Sequence, residues 1–282
     1  MITSNPFAEL AAVIPPAAMQ AYIILMFILV VVGTILDMLH KKSGQYFFEN
    51  ARKAKKNATR TVGVGEKSAL AVKTLAKEVL TSGEFANVKR RISHLLTMYG
   101  FILFVVTTVI LIFALPTQDD STSTTVPMLW HLGAAMLCLG GYWFWFSIRV
   151  DVASEGVKWY QLNGRGDLFI IGLLGMATFA LLWSFTMGSG TLNTLFFVLF
   201  IAFSTMLFGS VYWSKFAHMF FKPAAAFQKR LIKADGSREN LPATYDLTDP
   251  QVQAKFPDIP TYMGTRPPNM GQGIKREAPN HY

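Results

Sequence analysis

The sequence predicts an all-α, polytopic membrane protein with five transmembrane helices, its N-terminus outside and its C-terminus cytoplasmic. Three observations carry this. Of 282 residues, 52% are hydrophobic and only 15% charged; the mean hydropathy is +0.34; and five apolar runs each approach the roughly 20 residues needed to cross about 30 Å of hydrocarbon at 1.5 Å per residue. A water-soluble chain of this length would carry more charge and form about two domains.

Residues 1–39 comprise an outside N-terminus and span 1, about Met19–Leu39. Span 1 follows Pro15-Pro16 and holds one ionisable residue, Asp37. It is too long for a signal-peptide core and lacks a basic n-region, so it reads as a retained span. Residues 40–91 form a basic loop. Within it, the run Glu66–Leu80 places Ala69, Val72, Leu75 or Ala76, and Val79 or Leu80 at helical spacing between Gly63-Val64-Gly65 and Ser82-Gly83. That predicts a short amphipathic helix on the membrane interface or against a partner. Residues 92–213 hold spans 2–5, about Ile92–Leu115, Met128–Ile148, Leu168–Met187 and Leu192–Trp213. Residues 214–282 form a basic, Pro-rich tail. Beyond Lys233 it carries seven prolines and little apolar periodicity, which predicts an extended or disordered segment.

Orientation follows from charge. The loop 40–91 holds 13 Lys/Arg, the connection 149–167 holds three and the tail from Ser214 holds ten, together all 26 in the chain. The segments on the other side hold Glu9, Asp119 and Asp120 and no Lys or Arg. The positive-inside bias puts the basic segments in the cytoplasm. The formal +9 is thus a topology signal, which removes nucleic acid from the expected partners and leaves anionic lipid and acidic protein surfaces. The spans contain no mid-membrane Asp, Glu, Lys or Arg of the kind a transporter uses. The single cysteine, Cys138, excludes an internal disulfide or a thiolate cluster, and reads as a small apolar side chain.

Histidine is left as the metal-ligating residue. His281 lies in the tail and His40 follows span 1 beside Lys41-Lys42, both positions of a solvated or interfacial residue. His94 opens span 2 after Arg90-Arg91, and His218 ends span 5. Two imidazoles at equal depth on different helices can ligate a haem iron from opposite faces, although an interfacial histidine is more often only that. Gly100 could admit a flat ring or simply pack helices, and Arg90, Arg91, Arg149 and Lys215 could pair with propionates or serve topology alone. His131, beside Trp130 near the outer end of span 3, could hydrogen-bond a quinone carbonyl or anchor the helix. Gly33, Gly140, Gly141, Gly172 and Gly175 read as helix-packing residues.

The stretches Leu36-Asp37-Met38-Leu39-His40-Lys41-Lys42-Ser43-Gly44-Gln45-Tyr46, Ser93-His94-Leu95-Leu96-Thr97-Met98-Tyr99-Gly100-Phe101 and Ser214-Lys215-Phe216-Ala217-His218-Met219 resemble the five-span cytochrome b subunits. That superfamily includes the gamma subunit of respiratory nitrate reductase and the membrane subunits of heterodisulfide-reductase-like complexes. The size, basic first loop and Pro-rich tail look most like the AprM-type membrane anchors associated with adenylylsulfate (APS) reductase in sulfur-oxidising bacteria. The resemblance spans roughly residues 20–232. It implies an inner-membrane, electron-transfer subunit of sulfur metabolism that is not itself the catalyst. It further implies a cytoplasmic flavin and iron–sulfur reductase as partner, quinone as electron partner, and His94 and His218 as ligands of one haem b. Two-haem members carry a further histidine about three turns deeper on span 2 and another about five turns earlier on span 5; this chain has residues near Phe104 and Phe200 there, so one haem at most is expected. The alternative expectation is a docking subunit that carries no electrons and uses the basic loop, amphipathic helix and tail to hold the soluble enzyme.

Overall fold

The structure is a computed structural model that describes residues 2–83, 85, 87–118, 123–152, 155–237 and 249–255. Every regular element among the described residues is helical. In chain order these are α1 (Pro6–Leu10), α2 (Pro16–His40), α3 (Ser43–Lys56), α4 (Val64–Thr74), a π-helical turn Leu75–Leu80, α5 (Val88–Phe113) and α6 (Thr125–Trp143). A second π-helical turn, Phe144–Ile148, extends α6 and is followed by α7 (Gly164–Phe185), α8 (Thr191–Gly209), α9 (His218–Ala234) and α10 (Pro250–Lys255). Four of them, α2, α5, α7 and α8, are long and apolar enough to cross a membrane. The outward side of α2 exposes Ile24, Ile28, Val31 and Ile35, apolar side chains suited to lipid contact.

Glycines set the register. A Cβ on Gly100 would lie 2.8 Å from the Leu137 amide nitrogen, one on Gly133 2.7 Å from that of Phe104, and one on Gly140 2.7 Å from the Ser93 carbonyl. These contacts place α5 antiparallel to α6 with the backbones almost touching, the small-residue packing that replaces hydrophobic drive inside lipid. The Ser93 hydroxyl donates to the Gly140 carbonyl at 2.8 Å, reinforcing the contact. Gly141 meets Leu174, and the His131–Ser184 hydrogen bond lies at the other end of the same α6–α7 pair. Gly172 meets Leu207 and Gly175 meets Phe203, pairing α7 with α8. Gly33 meets Val211 just beyond the end of α8, while Tyr22 donates to the Ile201 carbonyl, so α2 runs parallel to α8. The glycines singled out in the sequence therefore act as packing residues.

At the end opposite the basic loops, the Asn5 side chain donates to the Leu111 and Leu115 carbonyls at 3.3 and 2.7 Å, satisfying groups that the last turn of α5 cannot pair internally. Phe7 of α1 meets Trp130 and Trp183 edge-on. At the basic end, α3, α4, the first π turn and α9 form a helical cap. Arg60 donates to the Ala234 carbonyl and pairs with Glu66, Thr59 donates to the Asp235 carbonyl, Gln228 donates to the Phe47 carbonyl, and Arg230 pairs with Glu78.

Three boundaries differ from the sequence expectations. Span 5 stops at Gly209, and turns at 210–217 lead to a separate helix, so His218 opens α9 rather than ending a span. α3 is a helix within what reads as plain basic loop. The expected amphipathic helix is present at 64–80, but its last six residues are π-helical. The extended tail falls mainly on residues 238–248 and 256–282, outside the described residues; in the described part, Pro250 opens the short helix α10, with the Asp249 carboxylate accepting from the Gln251 amide.

Replacing Gly133 by Leu is expected to cost at least the roughly 1–3 kcal/mol of an overpacked core, read as a lower unfolding midpoint of the purified protein in detergent. A second prediction concerns pH. The Glu66 carboxyl is held below its ordinary value chiefly by the hydrogen bond from Arg60. A lowered folded-state value means that the pair acts fully above the ordinary carboxylate range and is lost as pH falls through the lowered value. Spin labels at positions 58 and 233 are expected to show a distance distribution that broadens in that acid range, and already at neutral pH in Glu66→Gln.

Candidate functional site

The close approach of α5 to α6 fixes the rotation of α5, with Ser93, Gly100, Phe104 and Leu111 buried along one face. His94, one residue on from Ser93, is turned about 100° to the side and lines a cavity of about 530 Å³ at the basic end of the bundle. His218, the first residue of α9, lines the same cavity. Two residues matched only by depth in the sequence thus share one wall-to-wall space, between the ends of α2, α5, α7 and α9.

Each imidazole is held by its Nδ1. For His218, Nδ1–H donates to the Lys215 carbonyl, which can only accept, so Nε2 carries the ring's lone pair in the neutral form. For His94, Nδ1 lies 2.9 Å from the Ser82 hydroxyl, a bond that leaves the lone pair on Nε2 when Nδ1 donates. Ser82 is fully buried and has φ +47°, a left-handed conformation uncommon for serine. What imposes it is visible around it. The π-helical turn ends in a tight reversal, where the Gly83 amide donates to the Lys77 carbonyl at 2.7 Å and a Cβ on Gly83 would collide with that carbonyl. Side chains of α5 grip the same segment: Arg91 Nε donates to the Thr81 carbonyl and the Tyr99 hydroxyl to the Leu80 carbonyl, each at 2.6 Å. Phe85 closes over His94 at 4.9 Å between ring centroids. Phe169 meets the His218 ring edge-on at 5.8 Å.

The remaining lining is aromatic and mostly cationic in its charges, with Lys41, Arg90, Lys215 and Lys222 against Asp37, Glu155 and Asp167. Two of the carboxylates are already paired: Asp37 with Lys41 at 2.6 Å and Asp167 with Arg149 at 2.6 Å.

The other sequence-derived site residues go elsewhere. Arg149 is fully buried and committed: it pairs with Asp167, donates to the Lys158 and Gln161 carbonyls, and lies 4.1 Å over Trp145. It holds the 149–167 connection and is not placed to meet a propionate. Arg91 grips the Thr81 carbonyl and lies outside the cavity lining. Gly100 faces α6, not the cavity, because Gly133 stands opposite it. His131 is buried, with Nδ1 donating to the Pro127 carbonyl and Nε2 accepting from Ser184, each at 2.7 Å. With Nδ1 engaged within α6 and Nε2 engaged across to α7, it offers neither nitrogen to a quinone. Arg90 and Lys215 do line the cavity, and the sequence reading missed Ser82, Phe85 and Lys222 beside them.

Towards the opposite end, Phe104 and Phe200 stand edge-on at 6.5 Å, Phe104 against Trp130 and Phe200 stacked on Trp183. Aromatic side chains, which cannot ligate iron, stand at the depth where the resemblance puts the second ligand pair of two-haem members.

Replacing Arg149 by Met is expected to cost about 3–5 kcal/mol, since it strands the Asp167 carboxylate in a buried setting. The double variant Arg149→Met/Asp167→Leu is expected to recover much of that loss in the same unfolding measurement. No family model, curated protein or solved structure matches this chain.

Proposed function

We propose that this chain is the membrane anchor and electron-transfer subunit of a cytoplasmic oxidoreductase, binding one b-type haem between His94 and His218 and delivering electrons to quinone. In this reading it crosses the bacterial inner membrane five times, N-terminus outside. The crossing added to the four long apolar helices is span 3, α6 with its π-helical extension, whose Trp130, His131 and three glycines lower its apolarity but which packs against both α5 and α7.

One observation supports the reading above the others: both histidines line a single cavity and each is held through Nδ1, an arrangement that leaves Nε2 for ligation in His218 and, with Nδ1 donating to Ser82, in His94. Arg90, Lys215 and Lys222 supply cations for propionates, and Phe85, Phe169 and Phe221 supply ring packing. When bound, such a haem supplies one-electron storage at the basic face. The chain's own work is to hold the two imidazoles, balance the propionates and exclude water. With one cysteine, any iron–sulfur relay belongs to the partner. The resemblance to AprM-type anchors makes adenylylsulfate reductase the proposed partner, an inference by analogy.

A docking subunit without redox function is the second reading, favoured by the helical cap: α3 ends in Lys53, Lys55 and Lys56 and α9 carries Lys229 and Lys233, a basic surface fit for an acidic enzyme.

The purified protein is expected to show a reducible b-type spectrum with one haem per chain, abolished by His94→Ala or His218→Ala while the chain stays folded. A colourless, folded wild type made with haem synthesis intact would sink the electron-carrier reading. Histidine variants that still recruit the reductase and support its activity would favour docking instead.

A further inference from the structure

A second cavity, of about 460 Å³, lies between α2, α5 and α8, and its chemistry is opposite to that of the first. Its walls include Met26, Phe104, Val105, Phe197, Phe200 and Ile201, all within helices of membrane-spanning length. Tyr22, Thr108 and Ser204 are its polar lining residues, and each is already satisfied inside the protein. The Tyr22 hydroxyl bonds the Ile201 carbonyl and Thr205; Ser204 donates to the Phe200 carbonyl; Thr108 donates to the Phe104 carbonyl and accepts from Trp130. An occupant therefore has nothing to hydrogen-bond along this length. Water is a poor filler for such a space, since apolar cavities stay dry, and an empty volume of this size leaves its lining without packing partners. The volume falls within the range of about 300–1,000 Å³ typical of small-molecule sites.

The cavity reaches the outside of the bundle: its lining residues Phe27 and Phe220 are both half exposed. Phe220 stands two residues from Lys222 on α9, which continues with Lys229, Lys233 and the Glu78-paired Arg230, and α2 ends beside Lys42 and the Asp37-paired Lys41. A molecule entering here would carry hydrocarbon into the bundle and leave its head among cations. Within a bilayer, acyl chains are the surrounding solvent, so a site without polar selectivity fills with them by mass action; the basic rim selects for a negative head.

We propose that the cavity between α2, α5 and α8 holds one acyl chain of an anionic phospholipid, whose headgroup sits at the basic end of the bundle. The apolar site is distinct from the histidine cavity, although Lys41 and Lys222 near its basic end also line that cavity, and its test needs no haem.

The full chain is reconstituted with phosphatidylglycerol or with phosphatidylcholine, re-extracted in detergent and examined by native mass spectrometry. One phosphatidylglycerol per chain is expected to survive activation that strips phosphatidylcholine. Val105→Trp and Ile201→Trp, which fill the cavity, are expected to lower that retention about tenfold or more, whereas Val198→Trp on the exposed side of α8 leaves it unchanged. A measurement without variants accompanies this: phosphatidylglycerol with a photoactivatable diazirine in its acyl chain is expected to label Met26 and Val105 in preference to the outward Leu195 and Val198. Equal retention of the two lipids, undiminished retention in the filled variants, labelling only of outward residues, or a stoichiometric isoprenoid quinone in the extract in place of phospholipid would each overturn the proposal.

Discussion

The approach of α5 to α6 is the contact on which the rest of the arrangement turns. Gly100, Gly133 and Gly140 bring the two backbones to a distance no side chain would permit, and the Ser93 hydroxyl ties the basic end to the Gly140 carbonyl. In lipid, where apolar surface gains little by meeting another helix, close van der Waals packing of this kind has to supply the association. Once α5 is held by that face, its other residues have no rotational choice. His94 is committed to the cavity, while Arg91 and Tyr99 are committed to the backbone of the segment 80–81 that arches over it.

Polar groups are spent with similar economy. Hydroxyls of Thr97, Thr107, Thr108 and Thr186 donate to carbonyls one turn back, His131 joins α6 to α7, and Asn193 donates to the Trp183 carbonyl at the end of α7. Inside hydrocarbon an unpaired polar group is costly, so these local bonds keep the middle of the bundle dry. The result is a molecule of two halves: an aromatic interior with no ligand-directed polar atoms, and a basic end where imidazoles, ammonium groups and carboxylates face a common space.

Much of the bundle was legible in the sequence because a long apolar run is a local signal, and the helices lie within a few residues of the runs. α3 and α9 were not, since both are short and rich in Lys and Arg, α9 carries Pro223 inside it, and their order comes partly from gripping one another, as Gln228 grips the Phe47 carbonyl. Of the site, the histidines could be read from depth, but their supports could not. Ser82 was visible only as part of a Ser-Gly break, and its hydroxyl reaches His94 through a π-helical turn that no short pattern announces. Arg91 and Arg149 looked like Arg90, because a topological arginine and a structural one share the same sequence context. The buried Asp167 that claims Arg149 lies 18 residues away.

The placement of α2 bears on how the chain comes together as it is made. Tyr22 meets Ile201 and Thr205, Gly33 meets Val211, and Gln20 donates to the Ile112 carbonyl. α2 thus has its main neighbour some 180 residues later, whereas α5, α6, α7 and α8 each pack on the helix made just before or after them. Sequential hairpins of low separation close early, and distant pairings wait for their partner. α2 is therefore made well before the partner that seats it, its Gly33 side left against lipid until the end of α8 arrives to cover it.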